Sequence, residues 1–340
     1  MPATPATSNR PYVYVTRRLP QPALELLARH VQLTLWPGEQ PPPRAVLLKE
    51  APALNGLLTL PADRVDAALL DAAPALRVVS TCAPMYDNID IAAATAHGVL
   101  VTNTPDIATN TCADFTLALI LAAARRMGEG VQQLKAGQWR GGAEPLFGRD
   151  VYGTTLGIIG MGQVGQAVAR RAHGFGMPIV YADVQRMPAI ERATGARQLP
   201  LEALLASSDI VSLHCPLTDD TYQLIDRDAL ALLKPDAMLI NTAHGQLVDT
   251  RALAEMLRAC PMLLAALDST DPFPLPAGHL LLSLPNVLLT PQIASATEQT
   301  HTGMALLAAQ NLLDALHNTC PRCLVNTELW GTRAIEVGSL

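Results

Sequence analysis

Short apolar runs bounded by Pro, Gly, Asn or Asp recur along this chain, and helical patterns fill most of the gaps between them. One set of runs is Tyr12–Thr16, Gly56–Leu60, Arg77–Thr81 and Val99–Thr102. A second set is Thr155–Gly160, Ile179–Asp183, Ile210–Cys215, Ala237–Ala243, Leu263–Ser269 and Val287–Thr290. Helical stretches such as Pro22–His30 and Leu253–Arg258 separate neighbouring runs. Antiparallel strands can be joined by a tight turn, whereas parallel strands need a crossover, usually a helix. Strand–helix repetition therefore predicts an α/β fold with parallel sheets and helices on their faces. The runs are almost uniformly apolar, as strands buried on both sides must be.

Two longer helical patterns interrupt the rhythm, one from about Asn110 to Gly128 and one from Ser295 to about His317. Ser295-Ala-Thr-Glu298 spells a capping box, which predicts a helix start at Ser295. Met304, Leu307, Ala308, Leu312 and Ala315 then make one apolar face. These patterns flank the second strand set, where a chain entering and leaving an inserted domain would cross. The expected division is residues 1–102 with 292–340 as one domain and 103–291 as the other. A length of 340 residues suffices for two cores.

Composition narrows the function classes. With 49% hydrophobic and 16% charged residues, the chain is not of disordered type. A net charge of −6 and 4% aromatics do not support a nucleic-acid partner. Asp, Arg or Pro cuts every apolar run short of the roughly 18 residues a membrane span needs. The first twenty residues carry no signal-peptide core. Six cysteines are too few for a disulfide scaffold, so the expected setting is cytoplasmic, with reduced thiols. Cys320 and Cys323 have CxxC spacing, but no second pair or His stands at zinc spacing, so no metal site is expected. His214 reads as a structural residue, Trp139 as a packing anchor, and Arg125-Arg126 as a complement to a helix dipole.

The strongest local signal is Thr155-Leu-Gly-Ile-Ile-Gly160-Met-Gly162-Gln163-Val164-Gly165, a GxGxxG between an apolar strand and a helix. Gly160 would permit the tight turn, Gly162 the close approach of a pyrophosphate, and Gly165 the packing of helix on strand. The helix N-terminus would face the phosphates. Asp183 ends the next strand, eighteen residues after Gly165 and near the spacing of about twenty that brings an acid to the adenosine ribose. A carboxylate there repels a 2′-phosphate, so NAD(H) is expected over NADP(H). Arg186 softens that preference without reversing it.

From Val13 to about Leu316 the chain resembles the D-isomer-specific 2-hydroxyacid dehydrogenases, glyoxylate/hydroxypyruvate reductases above all. The resemblance lies in Val15-Thr-Arg-Arg-Leu-Pro20, Ser80-Thr81, Thr104-Pro-Asp106 and the glycine fingerprint with Ala169-Arg-Arg171. It continues in His214-Cys-Pro-Leu-Thr218, Ile240-Asn-Thr-Ala243, Ser295-Ala-Thr297 and Met304–Leu313. It implies two Rossmann-like domains, with a coenzyme domain inserted into a discontinuous, flavodoxin-like substrate domain. It also implies a homodimer, a cleft that closes over a small 2-keto or 2-hydroxy acid, and cofactor contacts within the fingerprint and beyond it. Those contacts are Gly160, Gly162, Gln163, Val164, Gly165, Asp183, Cys215, Pro216, Thr221, Thr242, Ala243 and Asp268.

The resemblance breaks where the family does its chemistry. The family clamps substrate with an Arg, where this sequence has His244. It transfers the proton through a His, where this sequence has Gln292. It orients that His with a Glu, where this sequence has Phe273. A carboxamide does not titrate, so Gln292 cannot act as acid and base. A phenyl ring cannot orient or charge a partner. An imidazole lacks the two-pronged donor of Arg. Asp271 is the nearby acid that would have to pair with His244. In the loop after Ser80-Thr81, where the family binds the substrate carboxylate through backbone N–H groups, Pro84 has no N–H and Met85 fills space a Gly would leave open. Three readings stay open. One is an NAD(H)-binding protein whose hydroxyacid chemistry is lost or much weakened. The second is an active oxidoreductase with a remodelled pocket, and the third is a partner-binding scaffold of the same fold. The substitutions favour the first.

Overall fold

The computed structural model describes residues 10–139 and 146–331. The chain forms two compact units, Met1–Ala108 with Thr297–Leu340, and Thr109–Ala296. In chain order the first unit holds β1 (Tyr12–Val15), α1 (Gln21–His30), β2 (Gln32–Leu35), α2 (Arg44–Glu50), β3 (Gly56–Thr59), α3 (Ala67–Asp71), β4 (Val78–Thr81), α4 (Ile91–Ala96) and β5 (Leu100–Thr102). The second holds α5 (Thr109–Ala124), α6 (Met127–Lys135), β6 (Leu156–Ile159), α7 (Gln163–Gly174), β7 (Ile179–Ala182), α8 (Pro188–Thr194), β8 (Arg197–Gln198), α9 (Leu201–Ser207), β9 (Ile210–Leu213), α10 (Arg227–Ala231), β10 (Met238–Asn241), α11 (Thr250–Ala259), β11 (Leu264–Leu267) and β12 (Val287–Leu289). Helix α12 (Glu298–Leu316) returns to the first.

In the first unit five parallel strands run in the order β2-β1-β3-β4-β5. Tyr14, Leu57, Val79 and Val101 stand in register across four of them and are buried on one face. Val15, Leu58, Ser80 and Thr102 make the opposite row. Here the Ser80 hydroxyl donates to the Ala308 carbonyl of α12 at 2.9 Å and accepts from Thr102 Oγ1 at 2.9 Å, so these buried hydroxyls are satisfied where they face a helix backbone.

The second unit is a seven-stranded parallel sheet in the order β12-β11-β10-β9-β6-β7-β8. From the central β6 the chain first winds one way to β8 and then the other way from β9 to β12. That reversal opens a crevice at the carboxyl ends of β6 and β9, the place where open α/β sheets hold ligands. Leu156, Ile158, Tyr181 and Ile240 are buried on one face with Ile120 and Val168. Ile159, Val211, Leu239 and Leu267 are buried on the other with Leu204 and Leu253.

Four details depart from the sequence reading. The edge strands β2 and β8 carry too few apolar residues to stand out. The pattern from Asn110 to Gly128 is two helices, because Arg126 takes a left-handed φ of 52° between α5 and α6. Its guanidinium then bonds Glu129 at 2.8 Å in the first turn of α6, so Arg126 braces the following helix rather than ending the preceding one. The last helix begins at Glu298, not Ser295: Thr297 is the N-cap, its hydroxyl accepting from Thr300 N–H at 3.2 Å. The units meet in sequence at Ala108/Thr109 and Ala296/Thr297, at the starts of the two long helices.

Candidate functional site

The glycine fingerprint leaves β6 into the crevice, and each glycine has its own reason. Gly160 has φ 91°, and a Cβ on it would lie 2.4 Å from the Cys215 backbone nitrogen. A Cβ on Gly165 would lie 2.1 Å from the Gly160 carbonyl oxygen, which lets α7 seat on the turn. A Cβ on Gly162 would meet nothing within 4 Å. Gly162 is the N-cap of α7 and no side chain caps that helix, so open space lies in front of its first-turn N–H groups. These residues fit a pyrophosphate. Gln163 is exposed, its Oε1 accepting from Thr109 Oγ1 at 3.3 Å, while Val164 packs into the core behind.

Asp183 follows β7 and is half-buried. One carboxylate oxygen accepts from Met161 N–H at 2.7 Å, inside the fingerprint, and the other from Gln185 N–H at 3.0 Å. Arg186 turns to Glu191 instead, with contacts of 2.9 to 3.1 Å, and the Tyr181 hydroxyl bonds the same carboxylate at 2.8 Å. Across the crevice His214 Nε2 bonds Ser212 Oγ at 2.8 Å, and desolvation lowers its pKa to about 4. Burial, aided by the Asp183 charge, pushes the Cys215 thiol up to about 11. Pro216 O accepts from the Thr221 hydroxyl at 2.7 Å, and Thr218 N–H donates to that hydroxyl at 2.7 Å, which shapes the loop.

Three loops after β10, β11 and β12 carry His244, Phe273 and Gln292, and the fold ties them together. Asn241, buried at the end of β10, accepts from Ala243 N–H at 3.0 Å and donates to the His244 carbonyl at 2.7 Å. This side-chain turn presents His244, and sequence reasoning passed Asn241 over; an Asn directly after an apolar strand is its signal. Thr242 Oγ1 lies 3.0 Å from Thr116 Oγ1 on α5. A Cβ on Gly245 would lie 2.2 Å from Thr270, so only glycine lets the His244 loop close on the Thr270-Asp271 backbone. Asp268 N–H donates to Asn241 O at 2.9 Å. Its buried carboxylate accepts from Thr290 Oγ1 at 2.6 Å, Ile293 N–H at 2.9 Å and Ala294 N–H at 2.8 Å. Those bonds hold Gln292, exposed and left-handed at φ 57°. Phe273 is 56% exposed. Asp271 is half-buried, and its carboxylate makes no hydrogen bond or ion pair among the described residues, so the suggested pairing with His244 does not form.

In the first unit Pro84 and Met85 are exposed, and the Pro84 carbonyl accepts from Asn103 Nδ2 at 2.6 Å. Cys320 and Cys323 are free thiols, and no metal-binding group of three ligands occurs among the described residues. Trp139 is 70% exposed.

Residues 117–294 match the family described as D-isomer specific 2-hydroxyacid dehydrogenase, NAD binding domain. Over 322 residues the chain is 44% identical to a glyoxylate reductase of Korarchaeum cryptofilum, covering 94% of this chain and 97% of that one. The chain is a D-isomer specific 2-hydroxyacid dehydrogenase family member. A glyoxylate reductase of Aeropyrum pernix is 45% identical over 326 residues, 94% of this chain and 97% of that one. Among solved structures, the TT0316 protein of Thermus thermophilus superposes with a TM-score of 0.88 at 44% identity, over 92% of this chain and 99% of that one. An NADPH-dependent glyoxylate/hydroxypyruvate reductase of Sinorhizobium meliloti, solved with NADP and malonate, gives 0.83 at 30% identity, over 93% and 97%. The family's NAD-binding domain and two-sheet α/β fold are thus those of this dehydrogenase-like chain. No helix among the described residues is long and apolar enough to cross a membrane.

Proposed function

We propose that this family member binds NAD(H) in preference to NADP(H), and that its reduction of 2-keto acids is lost or much weakened. Gln292 carries the reading. The family's proton-transfer position has an ordered, left-handed backbone held by Asp268, yet bears a carboxamide that cannot exchange a proton near neutral pH. His244 and Phe273 remove the fixed cation and the orienting acid from the two adjoining loops.

Asp183 supports the cofactor preference. Its carboxylate accepts from Met161 N–H in the fingerprint, and Glu191 holds Arg186, a nearby cation suited to a 2′-phosphate. A second reading, an active oxidoreductase with a remodelled pocket, draws on the same loops, because Asn241, Gly245 and Asp268 keep the scaffold ordered. The proposed assembly is a homodimer. Met127, Val131 and Leu134 recur at one-turn spacing on α6, which buries no residue in its own unit, and Trp139 and Phe147 are 70% and 76% exposed. Six free thiols suit the cytoplasm.

The deciding experiment is NADH titration followed by a 2-keto-acid screen with NADH consumption as readout. Saturable binding with turnover at least about a hundredfold below an intact family member supports the proposal. Turnover at family rates replaces it with the second reading.

A further inference from the structure

Two helices of the first unit end in histidines that lie against each other. His30 is the last residue of α1, and His317 is the C-cap of α12. Their rings meet edge to face, with centroids 5.7 Å apart and planes at 74°. Both residues are exposed, and neither ring makes a hydrogen bond or ion pair among the described residues, so no ring nitrogen is committed. Two imidazoles that share a metal ion at N–metal distances of about 2.0–2.1 Å keep their centroids about 5–6 Å apart, and the observed spacing falls in that range. An exposed imidazole also turns through a broad χ2 range at little cost. The backbone adds to this, because each helix C-terminus carries the negative end of its dipole and favours a cation there. Against it stand Arg29, beside His30, and Arg77, which donates to Asn318 Oδ1 at 2.7 Å; solvent and salt screen their repulsion at this exposed surface. No set of three His, Cys, Asp or Glu ligands occurs among the described residues, so water would fill the remaining positions. Imidazole with water suits Ni²⁺ and Cu²⁺, whereas Ca²⁺ and Mg²⁺ prefer oxygen and a structural Zn²⁺ takes four protein ligands.

We propose that His30 and His317 form a two-imidazole site for a late first-row divalent metal ion of the Ni²⁺ or Cu²⁺ class. An ion held there joins α1 to α12, and so ties together the two ends of the chain that make up the first unit. The unfolded chain does not hold the two rings side by side, so binding favours the folded state.

Ni²⁺ alone is the probe, titrated into the full chain at about pH 8, where free imidazole is neutral. Calorimetry measures the affinity, and NMR of the histidine rings locates the paramagnetic ion. The His30 and His317 ring signals are expected to broaden together and ahead of the other histidines, because a pair chelates and a lone ring does not. H30Q and H317Q should each lower the affinity at least about tenfold. H317F keeps an aromatic ring against His30 while removing the donor nitrogens. It should lose affinity as H317Q does, and with it the rise in Tm that Ni²⁺ produces in the unaltered protein. Mg²⁺ should give no such rise. Broadening of His30 and His317 no earlier than that of the other histidines overturns the proposal. So does full Ni²⁺ affinity in folded H317Q or H317F, which is the result expected of two rings that only pack.

Discussion

Asp268 accepts the N–H of Ala294 at 2.8 Å on one carboxylate oxygen and the N–H of Ile293 at 2.9 Å on the other, and so fixes the chain just after Gln292. A residue that resemblance assigns to the cofactor is thus also the clamp on the loop where the family places its proton donor. Asp268→Asn would replace one acceptor oxygen with a donor facing donors. Bonds to charged groups contribute about 1.5–3 kcal/mol each, so the variant should lose roughly 2–4 kcal/mol of stability, read from urea unfolding. Gln292→Gly should instead be neutral or gain up to about 1 kcal/mol, because glycine carries no penalty at positive φ.

Reconstruction tests the proposed loss of hydroxyacid chemistry. Gln292→His alone should restore little glyoxylate or hydroxypyruvate reduction, since Phe273 cannot orient the new imidazole. Combined with His244→Arg and Phe273→Glu, it should raise kcat/KM by more than the single changes together, by at least about a hundredfold, because clamp, base and orienter act as one unit. Pro84→Val with Met85→Gly should then chiefly lower KM. An unaltered protein as fast as the triple variant would show that these positions are not deficits.

The proposed cofactor preference rests on two carboxylates. Asp183→Ser should narrow the NADH-over-NADPH gap by about tenfold, or 1.4 kcal/mol, in a fluorescence titration. Adding Glu191→Gln should narrow it further, because Arg186 loses its partner and becomes available to a 2′-phosphate. Equal affinities in the unaltered protein would end the assignment.

Two histidines give opposite pH signatures. Burial holds folded His214 near pKa 4, against about 6.5 unfolded. Between those values the unfolded chain binds the extra proton, so this contribution is complete above pH 6.5 and is lost as pH falls toward 4. It amounts to at most roughly 3 kcal/mol, because the residue keeps some exposure. His214→Gln should flatten the acid limb of the urea midpoint curve. His97 is raised by the Ala93 carbonyl and by Asp71, 2.8 Å away. Its contribution is full below about pH 6.5 and is lost as pH rises through the raised value, which imidazole NMR would follow.

The apolar stripe of α6 predicts the assembly. Leu134→Asp should halve the mass measured by light scattering while leaving NADH binding intact. An unchanged mass in a folded variant would remove α6 from the interface.

Much of the fold was legible because parallel strands buried on both faces must be apolar throughout, and ten such runs could be read directly. The edge strands β2 and β8 could not, since Gln32-Leu-Thr-Leu35 and Arg197-Gln198 take their conformation from pairing with β1 and β7. The break at Arg126 was hidden as well: the sequence there stays helix-compatible, and its left-handed backbone goes with bonds to Glu129.

At the site, the sequence alone determined which atoms are present: three glycines at fingerprint spacing, an acid at the next strand end, and His244, Phe273 and Gln292 where the resemblance implies Arg, Glu and His. Chemistry that depends on residue type is written in the chain itself. Tertiary structure decided where those atoms are committed. It gave Arg186 to Glu191, filled Asp268 with the Thr290–Ala294 loop, and left Asp271 and Gln292 without partners among the described residues. The Asp268 commitment depends on which loops the sheet order sets side by side, since residues more than twenty positions apart in sequence meet only once β11 and β12 are paired, whereas Arg186 and Glu191 lie five residues apart and meet locally.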